Sequence, residues 1–341
     1  MPRVLGIDPG TISLDICALE DGRVFIDRSI PTADALADPA FLPNLIESVG
    51  PLDLVAGPSG YGLPLVAGQD LTEQDVRLAC LAAPGESGGL GGLAAVMRGL
   101  ARAPVPVVFT PGVIHLPSVP AYRKINRVDM GTADKVCAAA LAIHDEAVHR
   151  DCAPEQVSFI LLELGGAFSA ALAIERGRIV DGLGGTSGPM GMQGAGALDG
   201  EAAFLAGPIS KSMLFTGGMR DVPEDEGRTA FVESALKAVA TLRVSAPLAT
   251  EVLLSGRLAT ERWVRDPLMA RLGHVRLAGG FAAVAKHAAQ GAALIAEGLA
   301  GGASRHLVDT LGLREASGTV LDHLHIVSRA TAAQRIGLAI P

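Results

Sequence analysis

Residues 3–27 read R-V-L-G-I-D-P-G-T-I-S-L-D-I-C-A-L-E-D-G-R-V-F-I-D, and this stretch decides the fold. An apolar run ends in the tight turn Pro9-Gly10, a second apolar run covers 13–19, and Asp21-Gly22 supplies a hairpin dipeptide before a third strand. Residues 158–181, S-F-I-L-L-E-L-G-G-A-F-S-A-A-L-A-I-E-R-G-R-I-V-D, repeat the design. A constant offset of 155 pairs Asp8 with Glu163, Gly10 with Gly165, Glu20 with Glu175, Gly22 with Gly177 and Arg23 with Arg178. Two copies of one hairpin unit are therefore expected to open two domains, 1–129 and 130–341, with their turns facing each other across a cleft.

Outward from the hairpins, strands and helices alternate. The first half predicts a strand at 53–56, helices at 72–80 and 90–101 and a strand at 105–109. The second half predicts a helix at 228–241, a strand at 251–254 and a closing helix at 281–299. A helix over 131–148 is expected to cross between the halves. Such alternation predicts an α/β chain with mixed sheets flanked by helices. With 341 residues, 49% apolar, and a mean hydropathy of +0.37, the chain can bury two cores of ordinary size.

A formal charge of −8 and a pI near 5.5 leave no electrostatic footprint for a nucleic acid or an anionic membrane surface. Cys17, Cys80, Cys137 and Cys152 form no C-x-x-C pair and the eight histidines never take H-x-x-x-H spacing, so neither a metal cluster nor a disulfide framework is expected. The N-terminus moves directly into a strand, and no run of about 18 uncharged apolar residues occurs, which predicts a cytoplasmic protein.

In G-I-D-P-G-T (6–11), Gly10 lets the backbone approach a phosphate, the N–H groups around Thr11 can donate to its oxygens, and Asp8 can hold hydrated Mg²⁺. The second turn, L-G-G-A-F-S (164–169), places Gly165, Gly166, Phe168 and Ser169 in the matching position. Ser255-Gly256-Arg257 directly follows the strand 251–254, where a glycine permits close contact with a purine or ribose. Each piece alone reads equally as an ordinary turn; their order along the chain is what carries the nucleotide reading. The small residues of the closing helix fit close packing against the crossing helix at a hinge. His144, His149, His287, His323 and His325 read as structural. The glycine-rich stretch 184–201 is too long for a simple turn and predicts a functional loop over the cleft.

Over nearly its full length the chain resembles the acetate and butyrate kinase family. G-I-D-P-G-T resembles that family's opening I-N-P-G-S. G-P-S-G-Y-G-L-P-L-V-A-G (57–68) resembles its G-R-G-G segment, and G-T-A-D-K (131–135) resembles G-T-S-H-K. A-L-D-G-E (197–201), following G-R-I-V-D (177–181), matches butyrate kinase almost letter for letter. The resemblance implies two ribonuclease-H-like domains of the actin-like ATPase fold, ATP with Mg²⁺ as cofactors, phosphoryl transfer to a small-molecule acceptor in a closing cleft, and a homodimer. The departures fall on chemistry: Asp8 replaces the family's asparagine, Pro58 or Ser59 its arginine, Thr110 its catalytic aspartate, and Asp134 its histidine. Arg123, Arg127 and Lys135 are then the cations available for transfer, with Asp8 and Asp134 as metal ligand or general base. The leading reading is a phosphotransferase acting on a carboxylate- or hydroxyl-bearing molecule. The competing one is an ATP-operated regulatory or assembly protein; an ATPase activator with an intersubunit cluster is disfavoured by the lack of paired cysteines.

Overall fold

A computed structural model describes residues 2–38, 40–86 and 92–338. Its strands are β1 (Arg3–Pro9), β2 (Ser13–Glu20), β3 (Arg23–Pro31), β4 (Leu54–Pro58), β5 (Val66–Ala67), β6 (Val107–Thr110), β7 (Phe159–Leu164), β8 (Ser169–Glu175), β9 (Arg178–Leu183), β10 (Glu251–Ser255) and β11 (Val275–Leu277). Its helices are α1 (Thr32–Ala37), α2 (Phe41–Val49), α3 (Glu73–Cys80), α4 (Leu93–Ala101), α5 (Ala121–Lys124), α6 (Ala133–His149), α7 (Gly200–Ala206), α8 (Glu224–Ser245), α9 (Arg262–Leu272), α10 (His287–Leu299), α11 (Arg305–Leu311) and α12 (Arg329–Arg335). Two mixed sheets form, ordered β3-β2-β1-β4-β6-β5 and β11-β10-β7-β8-β9. The α/β class expected from the alternation is thus observed.

The hairpin repeat extends to fine detail. Asp8 pairs with Asp15 across β1 and β2, and Glu163 pairs with Ala170 across β7 and β8, the same register displaced by the offset. The outer pairings slip at Ala18/Leu19 in one copy and at Ala173/Ile174 in the other, so even the irregularity repeats. Both tips need left-handed backbone at two successive residues: φ is 52° and 72° at Asp21 and Gly22, and 51° and 70° at Arg176 and Gly177. That geometry matches the twist of antiparallel strands, and glycine at the second position avoids the Cβ penalty.

Alternation along the strands assigns the layers. In β1, Leu5 and Ile7 join the core shared with α2 and α4, while Val4 faces the middle of the molecule. In β7, Ile160 and Leu162 pack with α8 and α9, while Phe159 and Leu161 face the middle. The middle layer holds α6 and α10, so one core is roofed by both sheets. By the same period-two rule Asp8 and Glu163 are carried on the inner faces, toward each other.

The crossing helix is observed as α6. The helix predicted at 90–101 is described from Leu93, and its predicted start at Leu90 lies outside the described residues. The closing helix begins at His287, six residues later than expected. Gln290 Oε1 accepts from the N–H groups of Phe281 and Ala282, and the Asp27 carboxylate accepts from those of Ala283, Val284 and Ala285. With these donors bound by side chains, 281–286 runs as a strap over β2 and β3 instead of a helical turn.

Small residues let α10 press against two backbones at once. A Cβ at Gly6 would overlap the Ala289 carbonyl oxygen, and one at Gly291 would overlap that of Cys137 in α6. Neither obstacle is a flexible side-chain end. Gly291→Ala should therefore destabilise the protein by about 3 kcal/mol, the upper end for overpacked sites. Gly99→Ala, in α4 where a Cβ meets nothing within 4 Å, should be neutral or stabilising by about 0.5–1 kcal/mol. Chemical denaturation of the two variants checks both values; equal stabilities would remove the packing argument.

Candidate functional site

The carboxyl ends of β1, β4, β7 and β10 converge on a cavity of about 600 Å³, within the size range of small-molecule sites. Both hairpin turns line it, and they meet: a Cβ at Gly166 would lie 3.2 Å from the Ile12 side chain. Gly10 N–H donates within its own turn to Asp8 and Ser13 carbonyls, and Gly165 N–H donates to that of Phe168. Among the described residues, the N–H groups of Thr11, Ile12 and Gly166 are among those at the cavity that donate to no protein acceptor, so they are available to a ligand. The strand next to the opening strand ends in a left-handed glycine in each sheet, Gly60 after β4 with φ 62° and Gly256 after β10 with φ 90°. At Gly256 a Cβ would press on the Leu164 carbonyl oxygen at 2.5 Å and on Glu163 Oε1 at 2.7 Å.

Charge is concentrated at the first turn of α6. Lys135 Nζ lies 2.8 Å from Asp134 Oδ2 and 2.7 Å from Glu163 Oε2, joining the start of α6 to the end of β7 through one ammonium. The Thr132 hydroxyl donates to Asp134 Oδ1. Burial would push the Asp134 carboxyl up, but Lys135 and Thr132 outweigh it and hold it below the usual carboxylate range. The same two carboxylates overcome burial at Lys135 and hold it charged. Asp8 is only 6% exposed, and among the described residues no hydrogen bond is donated to its carboxylate. Burial, followed by repulsion from Asp134, raises it to about 7 against the pull of Lys286 and Lys135. Lys286 Nζ pairs with Asp15 Oδ2 at 2.8 Å and would lie 2.7 Å from a Cβ at Gly10. His287 Nδ1 and Ser255 Oγ are 2.8 Å apart and tie the end of β10 to the start of α10; burial lowers the pKa of this ring.

Of the residues singled out in the sequence, Asp8, Gly10, Thr11, Asp134, Lys135, Gly165, Gly166, Phe168, Ser255, Gly256 and Arg257 all line the cavity. Ser169 does not; it is fully buried in β8. Arg123 and Arg127 are not brought to the cavity either. Arg123 donates to the carbonyls of Val180 and Ser245 and sits 3.9 Å from Asp181, and Arg127 reaches the Ser187 carbonyl at 3.5 Å. Both are engaged with backbone carbonyls of β9, of the end of α8 and of the loop after β9. Cationic charge at the cavity comes instead from Lys211, Lys286 and Arg257, alongside Lys135.

The loop 184–201 divides. Gly185 and Thr186 line the cavity, where Thr186 N and Oγ1 both donate to Asp129 Oδ2 at 2.9 Å. A-L-D-G-E lies elsewhere: Asp199 Oδ1 accepts from Glu201 and Ala202 N–H at 2.9 and 3.1 Å, making it the N-cap of the exposed helix α7. Its residue choice is explained by capping, and it adds nothing to the cavity. Lys286, Lys211, Tyr61 and Asp129 were not singled out in the sequence. Glu163 alone among the missed groups carried a signal there, as the offset mate of Asp8.

The Asp8 carboxyl sets a pH dependence. Between its ordinary value near 4 and its folded value of about 7, the folded protein holds a proton that the unfolded chain has released. Stability contributed by this group therefore falls as pH rises through that window and stays reduced above it. Asp8→Asn should flatten the profile and exceed wild type at pH 8 by a few kcal/mol, on the order of 4 at most. Denaturation at a series of pH values checks this; parallel profiles would contradict it.

The family model described as "Protein of unknown function (DUF1464)" matches residues 6–326. No curated protein sequence matches the chain. Among solved structures, acetate kinase from Entamoeba histolytica is similar at 13% identity and TM-score 0.55, over 79% of this chain and 86% of that one. A propionate kinase from Francisella tularensis subsp. tularensis SCHU S4 is similar at 12% identity and TM-score 0.57, over 80% of this chain and 88% of that one. Acetate kinase from Porphyromonas gingivalis gives 12% identity and TM-score 0.55, over 80% and 87%. The fold is thus shared with these kinases and is the actin-like ATPase fold.

Proposed function

The chain belongs to the DUF1464 family, whose description carries no activity, and from the site itself we propose an ATP-dependent phosphotransferase acting on a small hydroxyl-bearing acceptor. The observation that carries the reading is the pair of matched turns closing on one cavity, with a buried, unpartnered Asp8 between them. The likeness in fold to acetate and propionate kinases supports it at the level of architecture.

In this reading the N–H groups of Thr11, Ile12 and Gly166 receive phosphate oxygens, and Ser255, Gly256 and Arg257 form the nucleotide end beside β10. Phe168 supports that end, packing edge-on against Phe215 with ring centroids 4.7 Å apart. Transfer of a phosphoryl group is mostly a matter of positioning and neutralising charge, and Lys286 and Lys135 stand where they can do so. Asp8 then takes the acceptor hydroxyl's proton: a base poised near 7 is ionised often enough to accept it and basic enough to keep it. An ionised carboxylate acceptor would need no such base, which favours a hydroxyl.

Among the described residues no three His, Cys, Asp or Glu side chains are grouped to hold a metal by themselves. Mg²⁺ that arrives with nucleotide phosphates needs only one or two carboxylates. A carboxylate held ionised on the cavity wall, as Asp134 is, fits that requirement and leaves Asp8 as the base. The ion would supply neutralisation of the phosphate charge; the residues named above bind, orient and move the proton.

Saturating Mg-ADP should raise the melting temperature, since a ligand selective for the native state stabilises it by mass action. With Mg-ATP and a panel of hydroxyl acceptors, Asp8→Asn should reduce acceptor phosphorylation by about a hundredfold or more while ADP affinity changes much less. Calorimetry and coupled ADP-release assays provide the readouts. Unchanged melting with nucleotide would sink the reading altogether, and an equally active Asp8→Asn would sink the role of Asp8. Slow hydrolysis that no acceptor accelerates would return the ATP-operated regulator to first place.

A further inference from the structure

We propose that the end of the cavity beneath Tyr61 is an anion subsite built on Lys211, and that the acceptor is a short hydroxy acid whose carboxylate this lysine holds. The inference rests on the phosphotransferase reading and adds the identity of the acceptor class.

Three lysines line the cavity. Two are paired with carboxylates of the protein: Lys135 with Asp134 and Glu163, and Lys286 with Asp15. Lys211 differs. Among the described residues no carboxylate lies within ion-pair distance of its ammonium, whose contact is the face of the Tyr61 ring, 4.6 Å from the centroid. Burial lowers its pKa, with Glu86 and Asp129 opposing from a distance. A partly desolvated cation with only a ring face beside it lacks the partner that buried charges take elsewhere, and a ligand carboxylate would supply one.

The lysine is also held in place. Its segment lies between α7 and α8 in the second half of the chain, yet Lys211 N–H donates to Glu86 Oε1 at 3.1 Å in the first half. Arg335 Nη2 donates to the Ile209 carbonyl at 3.2 Å. These two bonds fix the backbone leading into Lys211, and the one to Glu86 ties it to the first half of the chain. The cavity lining that includes Lys211 and Tyr61 also includes Gly60, Cys80, Leu93 and Leu214, mostly apolar. A nucleotide seated at the Ser255–Arg257 end takes up much of about 600 Å³, so the remaining room suits a short chain.

The two groups demanded of the acceptor are then complementary to two different residues. Its hydroxyl faces Asp8 and its carboxylate faces Lys211. In the transfer, the hydroxyl oxygen forms a bond to the γ-phosphorus as the bond from that phosphorus to the β,γ-bridging oxygen breaks. The bridging oxygen leaves on ADP, and the hydroxyl proton passes to Asp8. The products are ADP and a phosphomonoester that keeps its carboxylate.

The test titrates the full chain, saturated with Mg-ADP, with 3-hydroxybutyrate, butyrate and 1,3-butanediol by calorimetry. Both carboxylates should bind and the diol should not. Lys211→Met should weaken carboxylate binding about tenfold or more, the scale of losing one charge-assisted contact, with ADP affinity unchanged. Lys211→Arg, which keeps the charge, should retain most of it and guards against a folding defect as the cause. The proposal is overturned if the diol binds as tightly as the acids, if neither acid binds, or if Lys211→Met loses ADP affinity in parallel, which would assign the lysine to the nucleotide. Failure of ADP to bind wild type would strike the phosphotransferase reading instead, and carboxylate binding to the unliganded protein would still decide the subsite.

Discussion

The molecule depends on the contact of α10 with two backbones, β1 through Gly6 and α6 through Gly291. Because a Cβ at either glycine would strike main-chain atoms, helix and strand, and helix and helix, approach at the closest distance that polypeptide allows. The helix that follows the second sheet is thereby laid against the first one, and the core between the sheets becomes continuous. Alanines fill the rest of the interface: Ala289, Ala292, Ala293 and Ala296 are fully buried. They order little side-chain entropy, which suits a layer that must be thin.

That contact also places the chemistry. The strap before α10 is pinned to the first hairpin by Asp27, whose three backbone donors outweigh burial and hold its carboxyl below the ordinary range. It is pinned again by Asp15, which pairs with Lys286. Lys286 therefore stands over Gly10, and His287 reaches Ser255 at the end of β10. On the other side of the cavity the first turn of α6 offers Asp134 and Lys135, and Lys135 bridges to Glu163. The carboxylates of the site are graded by their partners: Asp134 is paired and kept ionised, Asp8 is unpaired and kept near neutrality. A difference of this kind between neighbouring acids is what proton transfer exploits.

Much of this was legible in the chain. The offset of 155 predicted two like hairpins, and the structure repeats them down to the irregularity after Ala18 and Ala173 and the left-handed pair at each tip. Local rules suffice there, since turn dipeptides and period-two alternation act within a few residues. The three clusters expected at the nucleotide, around Gly10, Gly165 and Gly256, also reach one cavity. Two readings drawn from motif likeness did not carry over. A-L-D-G-E is a helix cap, and Arg123 and Arg127 are spent on backbone carbonyls in and around β9. A motif's letters can be preserved for a local structural reason alone, and a cation near a cleft in sequence can satisfy a carbonyl before it meets a ligand.

What the sequence by itself determined was therefore local and repetitive: strand, turn, helix and the repeat of one hairpin design. Glycine at φ-positive tips and alternating apolar residues are each sufficient causes for those features. What only the tertiary structure decided was which isolated charges meet. Lys211 sits in an irregular segment and Lys286 in an alanine-rich one, with no spacing to mark either. Their positions follow from long-range bonds, Glu86 to Lys211 across 125 residues and Asp15 to Lys286 across 271. Electrostatics of a buried site depends on distance and desolvation, which pattern along the chain does not encode. Asp8 is an acid in the sequence; only burial beside Asp134, without a donor of its own, makes it a base near neutral pH.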